Sequence, residues 1–354
     1  MTIDRKPFGK LGGDEFGLFT IRNRSGASLA VTDFGATTVQ MNMPSPSGQF
    51  ADVILGFESA QAYRAGQAYC GATVGRFANR LRRGRFPLDG KEVQTACNEG
   101  LNSLHGGPDS YDKRKWAAAY DSLDNTVTFS LTSPDGDEGF PGELKLTTAY
   151  ALTDDNRVRI DFRATASQPT LCNITNHSYF NLAGHASGSV LEQEVQFYAD
   201  FYAPVDDELI ISGEILKVAG TPFDFREPRT IGSQIAKLPR PGGTGEIEGG
   251  AGGFDHNFCL RGEPGRLRPV AMARDPASGR GFELSTTEPG VQFYTGRSLN
   301  SSMIGKGGKP YGKFGGFTME TQRFPDGPNL SHVPQSRLDP GQHYHHICEL
   351  RFLT

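Results

Sequence analysis

Little in this chain of 354 residues could hold it together covalently. Its five cysteines, Cys70, Cys97, Cys172, Cys259 and Cys348, are odd in number and widely spaced. No two stand at the C-x-x-C spacing of a metal or redox motif, and free thiols in a reducing compartment are expected. Long apolar runs are also missing. Nothing approaches the roughly 20 residues of a membrane helix, and residues 1–10 lack the apolar stretch of a signal peptide. A soluble, cytoplasmic protein is the expectation. An excess of one charge is lacking too: 36 Lys and Arg stand against 40 Asp and Glu, for a formal net charge of −4. That balance gives no reason to expect nucleic acid or an anionic membrane as partner. The glycine-rich stretch 239–253 is followed by no Lys-Ser/Thr, no G-x-G-x-x-G opens a helix, and no G-x-S-x-G is present. Phosphate-loop and serine-hydrolase chemistry therefore have no support.

What the chain does have is punctuation. Forty-five glycines and 22 prolines fall between short apolar runs, the pattern of many short strands and turns. Strands are expected at 16–23 and 28–43, with a bend at Asp33-Phe34-Gly35-Ala36, and at 52–57. A hairpin over 86–93 turns at Asp89-Gly90. A meander follows at 116–119, 126–133, 144–152 and 157–166. Further strands are read at 171–182, 195–202, 209–211, 268–273, 281–287, 291–296 and 345–352, and short helices at 58–65 and 229–238. No repeat and no linker divides the chain. The reading is all-β, a large antiparallel sandwich formed by residues 1–354 as a single domain.

One strand reads differently from the rest. Phe317-Thr318-Met319-Glu320-Thr321-Gln322-Arg323-Phe324-Pro325-Asp326 ends at a proline, which has no N–H for a ladder. Alternation puts Phe317, Met319 and Thr321 on one face and Thr318, Glu320 and Gln322 on the other. A carboxylate thus stands among hydrogen-bonding groups near a strand end. Other chemistry-bearing residues lie at loops or strand ends: Asn79 and Arg80, His105, His177, Asp255 and Gln292. Two imidazoles and two carboxylates supply what acid–base work near neutral pH requires. Arg, Asn and Gln are the planar donors and acceptors that read hydroxyl groups. Each residue also has a plain structural reading: Asp255 as a turn former, His177 as a half-buried strand residue, Arg80 as part of a solvated basic run with Arg82, Arg83 and Arg85. His343 and His345 share a strand face that could bind zinc, but no further ligand lies at suitable spacing, so a strand edge is expected there and no metal.

Six segments resemble the aldose 1-epimerases, or galactose mutarotases. They are Gly75-Arg76-Phe77-Ala78-Asn79-Arg80, Leu104-His105-Gly106-Gly107, Thr175-Asn176-His177-Ser178-Tyr179-Phe180-Asn181-Leu182, Phe254-Asp255-His256-Asn257-Phe258, Pro289-Gly290-Val291-Gln292-Phe293-Tyr294-Thr295 and Glu320-Thr321-Gln322-Arg323-Phe324-Pro325-Asp326. They occur in family order over nearly the whole chain. The resemblance implies a β-sandwich of the galactose mutarotase type, a free aldose as substrate, no cofactor, and a monomer or homodimer. It implies Glu320 as general base and His177 as general acid, with Asn79, Arg80, His105, Asp255 and Gln292 binding the sugar. It also implies an ionised Glu320 beside a protonated His177. Two departures stand out: Thr318-Met319 where family members often carry Cys-Leu, and a longer glycine-rich insert before Asp255. Alternatives are a hexose-phosphate epimerase using Arg80 and its basic neighbours, and a non-catalytic carbohydrate-binding sandwich.

Overall fold

The protein is described from a computed structural model covering all residues except 1, 67, 122, 239–251 and 354. The glycine-rich insert thus lies almost wholly outside the described residues. Three antiparallel sheets dominate. The longest has nine strands. The meander Ala117–Asp121, Thr126–Ser133, Leu144–Leu152 and Arg157–Ala166 continues into Tyr344–Leu353, Gly281–Thr286, Arg268–Arg274, Glu194–Phe197 and Arg229–Thr230. Alternation decides its faces: Leu144, Leu146, Thr148, Tyr150 and Leu152 are buried, while the residues alternating with them are less so.

A five-stranded sheet packs across this one. Its order is Leu216–Lys217, Ala199–Ala203, Asp255–Leu260, Gly290–Tyr294 and Thr318–Gln322. The stretch read as one strand at 195–202 is two, and the chain changes sheets at Tyr198. The two sheets meet through aromatic rings. Phe197 of the long sheet stacks on Phe258 at 4.5 Å and meets Phe293 edge-on at 5.1 Å. Such pairs add about 0.5–1.5 kcal/mol each beyond the area they bury. The other face of the five-stranded sheet is left for polar side chains, and the functional site is built there.

A second five-stranded sheet, Thr2–Leu11, Asp14–Arg22, Ser28–Thr32, Thr37–Pro44 and Phe50–Asp52, flanks the structure. The sequence reading misses Thr2–Leu11, and the reason is physical: it is an edge strand, mostly exposed and rich in Asp4, Arg5, Lys6 and Lys10, so it carries no apolar alternation. Residues 171–182 also differ from expectation. Only Thr170–Leu171 and Thr175–Asn176 are strand, and Phe180 forms isolated bridges to Ile54 and Phe317. Residues 53–57 are likewise irregular apart from the Ile54 bridge. The helices shrink to Ala60–Ala65 and Ile231–Ile235, and no helix among the described residues is long and apolar enough to cross a membrane.

Loops, not strands, bring the other half of the site to the polar face, and one buried cation anchors them. Arg76 is 2% exposed. Its guanidinium donates to the carbonyls of Ser133, Pro134, Pro141 and Gly142 and to the hydroxyls of Ser133 and Thr170. These carbonyls belong to the loop joining two meander strands, so the segment leading to Asn79 and Arg80 is pinned to the long sheet. Lysine offers three donors where arginine offers five in a fixed fork, and each hydrogen bond to a charged group is worth about 1.5–3 kcal/mol. Arg76→Lys is expected to lower unfolding free energy by at least about 2 kcal/mol in a urea titration, whereas a loss within experimental error would show that the anchor is dispensable.

Candidate active site

Strand register assembles one wall. Asp255 lies opposite Tyr294, which lies opposite Thr318; two rows along, beyond His256, Phe293 and Met319, Asn257, Gln292 and Glu320 are aligned. Side chains of one row and the next but one share a face, so a carboxylate from an outer strand and a carboxylate from a central one reach the same cavity. That cavity has a volume of about 280 Å³, and Asn79, Arg80, His105, His177, Asp255 and Glu320 all line it. Six of the seven residues singled out from the sequence thus converge, although they span 242 positions from Asn79 to Glu320. Gln292 does not face the open space. It donates to Asp255 Oδ1 at 2.7 Å, so it orients a pocket carboxylate.

Loops supply the opposite wall. His105 has φ of 51° and is followed by Gly106 with φ of 92°. A Cβ on Gly106 would lie 2.1 Å from the Gly75 carbonyl oxygen, so only glycine lets the two loops meet. The Asn79 backbone N–H donates to His105 Nδ1 at 3.1 Å. With Nδ1 as acceptor, the neutral ring carries its proton on Nε2. Burial, His177 and Arg80 all oppose a second proton and hold His105 well below its ordinary range. His105 is therefore a neutral donor.

His177 and Glu320 form the chemical centre. His177 Nε2 lies 3.5 Å from Glu320 Oε1. Thr318 Oγ1 donates to the same oxygen at 2.9 Å. Glu320 Oε2 and His177 Nδ1 are buried and make no hydrogen bond to a described residue. Tyr69 and Tyr179 close over the imidazoles, with Tyr179 5.1 Å from the His177 ring and Tyr69 4.7 Å from that of His105. Burial in this collar pushes Glu320 up to about 8 and His177 down to about 4. Burial thus opposes the resting carboxylate–imidazolium pair expected from proximity and favours the neutral form of each group.

Arg80 is buried rather than part of a solvated run. Its Nε and Nη2 donate to Glu99 at 2.6 and 2.7 Å, and Nη1 lies 3.9 Å from Asp255 Oδ2. Burial works against its charge, but Asp255 and Glu99 outweigh that and raise its pKa. Arg82, Arg83 and Arg85 point away: all three are exposed, Arg82 pairs with Asp206 and Arg85 with Glu92. Arg297, 3.8 Å from Asp255, completes the polar ring.

The donor atoms of His105, His177 and Glu320 lie within 4.8 Å of one another, the one such set of three among the described residues that could hold a metal ion. His345 instead pairs with Asp161.

Residues 17–351 match the family described as aldose 1-epimerase. A galactose mutarotase from Rattus norvegicus is 42% identical over 354 residues, 99% of either chain. An aldose 1-epimerase from Escherichia coli K12 is 36% identical over 344 residues, 97% of this chain and 96% of that one. The chain belongs to the aldose 1-epimerase family. Its fold agrees: the solved structure of an aldose epimerase homologue from C. elegans superposes with a TM-score of 0.85 at 29% identity, covering 96% of this chain and 99% of the other.

Within this aldose 1-epimerase framework, sequence reasoning passes over Glu99, Arg297 and Tyr69. Arg297 lies just beyond the segment that carries Gln292, and adjacency was its one signal. Glu99 and Tyr69 gave none, because their partners are distant in sequence. The raised pKa of Glu320 also makes a stability statement. The folded chain holds this proton more tightly than the unfolded chain, so the carboxyl contributes fully below the ordinary value of 4.5 and loses that contribution as pH rises through about 8. His177 contributes its own change only below its ordinary value of 6.5. Glu320→Gln, which stays neutral, is expected to gain melting temperature relative to the parent chain as pH goes from about 6.5 to 9. A constant difference across that range would contradict a buried, proton-holding Glu320.

Proposed function

We propose that this chain interconverts the α and β anomers of free aldoses, with Glu320 as the general base and His177 as the general acid. The carrying observation is the buried pair of Glu320 and His177 across 3.5 Å, inside a cavity lined by hydroxyl-reading groups. Glu320 Oε2 takes the proton of the anomeric hydroxyl. The bond from C1 to the ring oxygen breaks as C1 becomes a carbonyl, and the ring oxygen receives its proton from His177 Nε2. Rotation about C1–C2 and reclosure with the roles reversed gives the other anomer. Opening converts Glu⁻ and HisH⁺ into GluH and neutral His, the state that burial already favours. Reclosure returns Glu⁻ and HisH⁺; proton passage from GluH to His is needed only to draw this form from the neutral pair, and a bound sugar that replaces lost hydration lowers the cost of that form. No redox change occurs and no cofactor is needed.

Arg80, Asp255, Asn79 and His105 bind and orient the ring, and residues 1–354 act as one domain, a reading supported by a core that runs continuously from Phe19 to Phe352. Galactose fits as a substrate, given the relatives named for it. A phosphorylated sugar fits poorly: the pocket cations Arg80 and Arg297 already face Glu99 and Asp255, and the basic neighbours are turned outward. A purely binding module has no use for the proton-sharing pair.

Polarimetry of fresh α-glucose tests the reading. Glu320→Gln is expected to lose about 10²–10⁴-fold in turnover, and near-normal mutarotation in that variant would remove Glu320 from the mechanism. Loss of one charged hydrogen bond in Asp255→Ala corresponds to about 1.5–3 kcal/mol of substrate affinity, so unchanged sugar binding there would remove Asp255 as a hydroxyl reader.

The pH profile is a separate check. Burial moves His177 down to about 4 and Glu320 up to about 8, so kcat/KM should form a bell whose limbs belong to the pair. His177→Asn is expected to leave weak activity without the basic limb, while His105→Asn keeps that limb in whatever activity remains. The reverse pattern would exchange the roles of the two histidines.

A further inference from the structure

The base in this scheme has two oxygens in different situations. Glu320 Oε2 is buried and makes no hydrogen bond to a described residue. Oε1 accepts from Thr318 Oγ1 at 2.9 Å and faces His177 Nε2 at 3.5 Å. Thr318 sits two residues before Glu320 on the strand Thr318–Gln322 and is fully buried, so the two side chains project from the same face. Its β-branch stiffens χ1, which limits where the hydroxyl can point.

We propose that Thr318 is a positioning residue for the reaction: its hydroxyl, donating to Oε1, favours the ionised form of Glu320 against burial and leaves Oε2 turned to the anomeric hydroxyl. The inference rests on Glu320 being the general base. A hydroxyl donates to either carboxyl form but binds the anion more strongly, so it favours charge where burial opposes it. The other groups acting on this carboxyl are His177 and His105, Arg80 across the pocket, and the anionic or phenolic groups Asp255 and Tyr179. Among the described residues, Thr318 is the side chain that donates a hydrogen bond to Glu320.

The reactive tautomer, Glu⁻ with HisH⁺, is drawn from the resting GluH and neutral His. Removing the donor makes the carboxyl a weaker acid. That lowers the fraction of reactive tautomer and, by the same factor, moves the alkaline loss of the shared proton to higher pH. The two effects are therefore tied.

Thr318→Val keeps shape and removes the donor. Mutarotation of α-glucose followed across pH is expected to show a kcat/KM plateau about tenfold lower and a basic limb about one unit higher, since one pKa unit is a factor of ten. Thr318→Ser, which keeps the hydroxyl, should return both most of the way. Thr318→Ala reads the same limb if the valine variant does not fold, with melting temperatures reporting which is the case. An unmoved limb in the folded Val or Ala variant overturns the proposal, as does a lower plateau without a moved limb, which marks a packing defect. Glu320→Gln is measured alongside. If it is inactive and the Thr318 variants show no shift, this inference alone fails; if it is active, the assignment of Glu320 fails first.

Discussion

A carboxyl group 2% exposed, with an imidazole 3.5 Å away, cannot ionise independently of that imidazole. This constraint shapes the rest of the site. Taken from water, both Glu320 and His177 favour their neutral forms, and one proton is left for two groups. Chemistry that removes a proton from one sugar oxygen and delivers one to another needs such a pair. Tyr69, Tyr179 and Tyr294 line the cavity beside the pair, and the strand register brings the carboxyl to it without a flexible linker.

Around that pair the charges are arranged in advance. Arg80 is held between Glu99 and Asp255, Asp255 also faces Arg297, and Gln292 fixes its other oxygen. A sugar entering the cavity meets donors and acceptors whose positions are already set, so little ordering remains to be done on binding. The loop wall is held as firmly as the strand wall. Arg76 ties the segment before Asn79 to four carbonyls, and the close approach at Gly106 fixes where His105 stands. These anchors lie outside the cavity lining, yet the distance between the acid–base pair and its binding partners depends on them.

Much of this was legible from the residues. The meander strands Thr126–Ser133, Leu144–Leu152 and Arg157–Ala166 match the sequence reading residue for residue, because each has one face in the core and one toward solvent. Thr318 and Glu320 share a face, as alternation requires. Thr2–Leu11 was invisible, since an exposed edge strand needs no apolar pattern. His177 was read as a strand residue and stands instead just past a two-residue strand, Thr175–Asn176. There long-range bonds, His177 N–H to Ala72 and Gly71 N–H to the His177 carbonyl, shape the backbone.

By itself the sequence determined the class of structure, through punctuation and alternation, and the set of groups able to move protons and read hydroxyls, through their resemblance to a known family. Side-chain type is local, and so is the two-residue period of a strand. Tertiary structure alone decided that Glu99, Arg297 and Tyr69 join the site, that Gln292 holds Asp255, and that Glu320 and His177 are buried side by side. Each of those outcomes depends on distance and desolvation between residues remote in the chain, and both quantities exist only once the sheets and loops have packed.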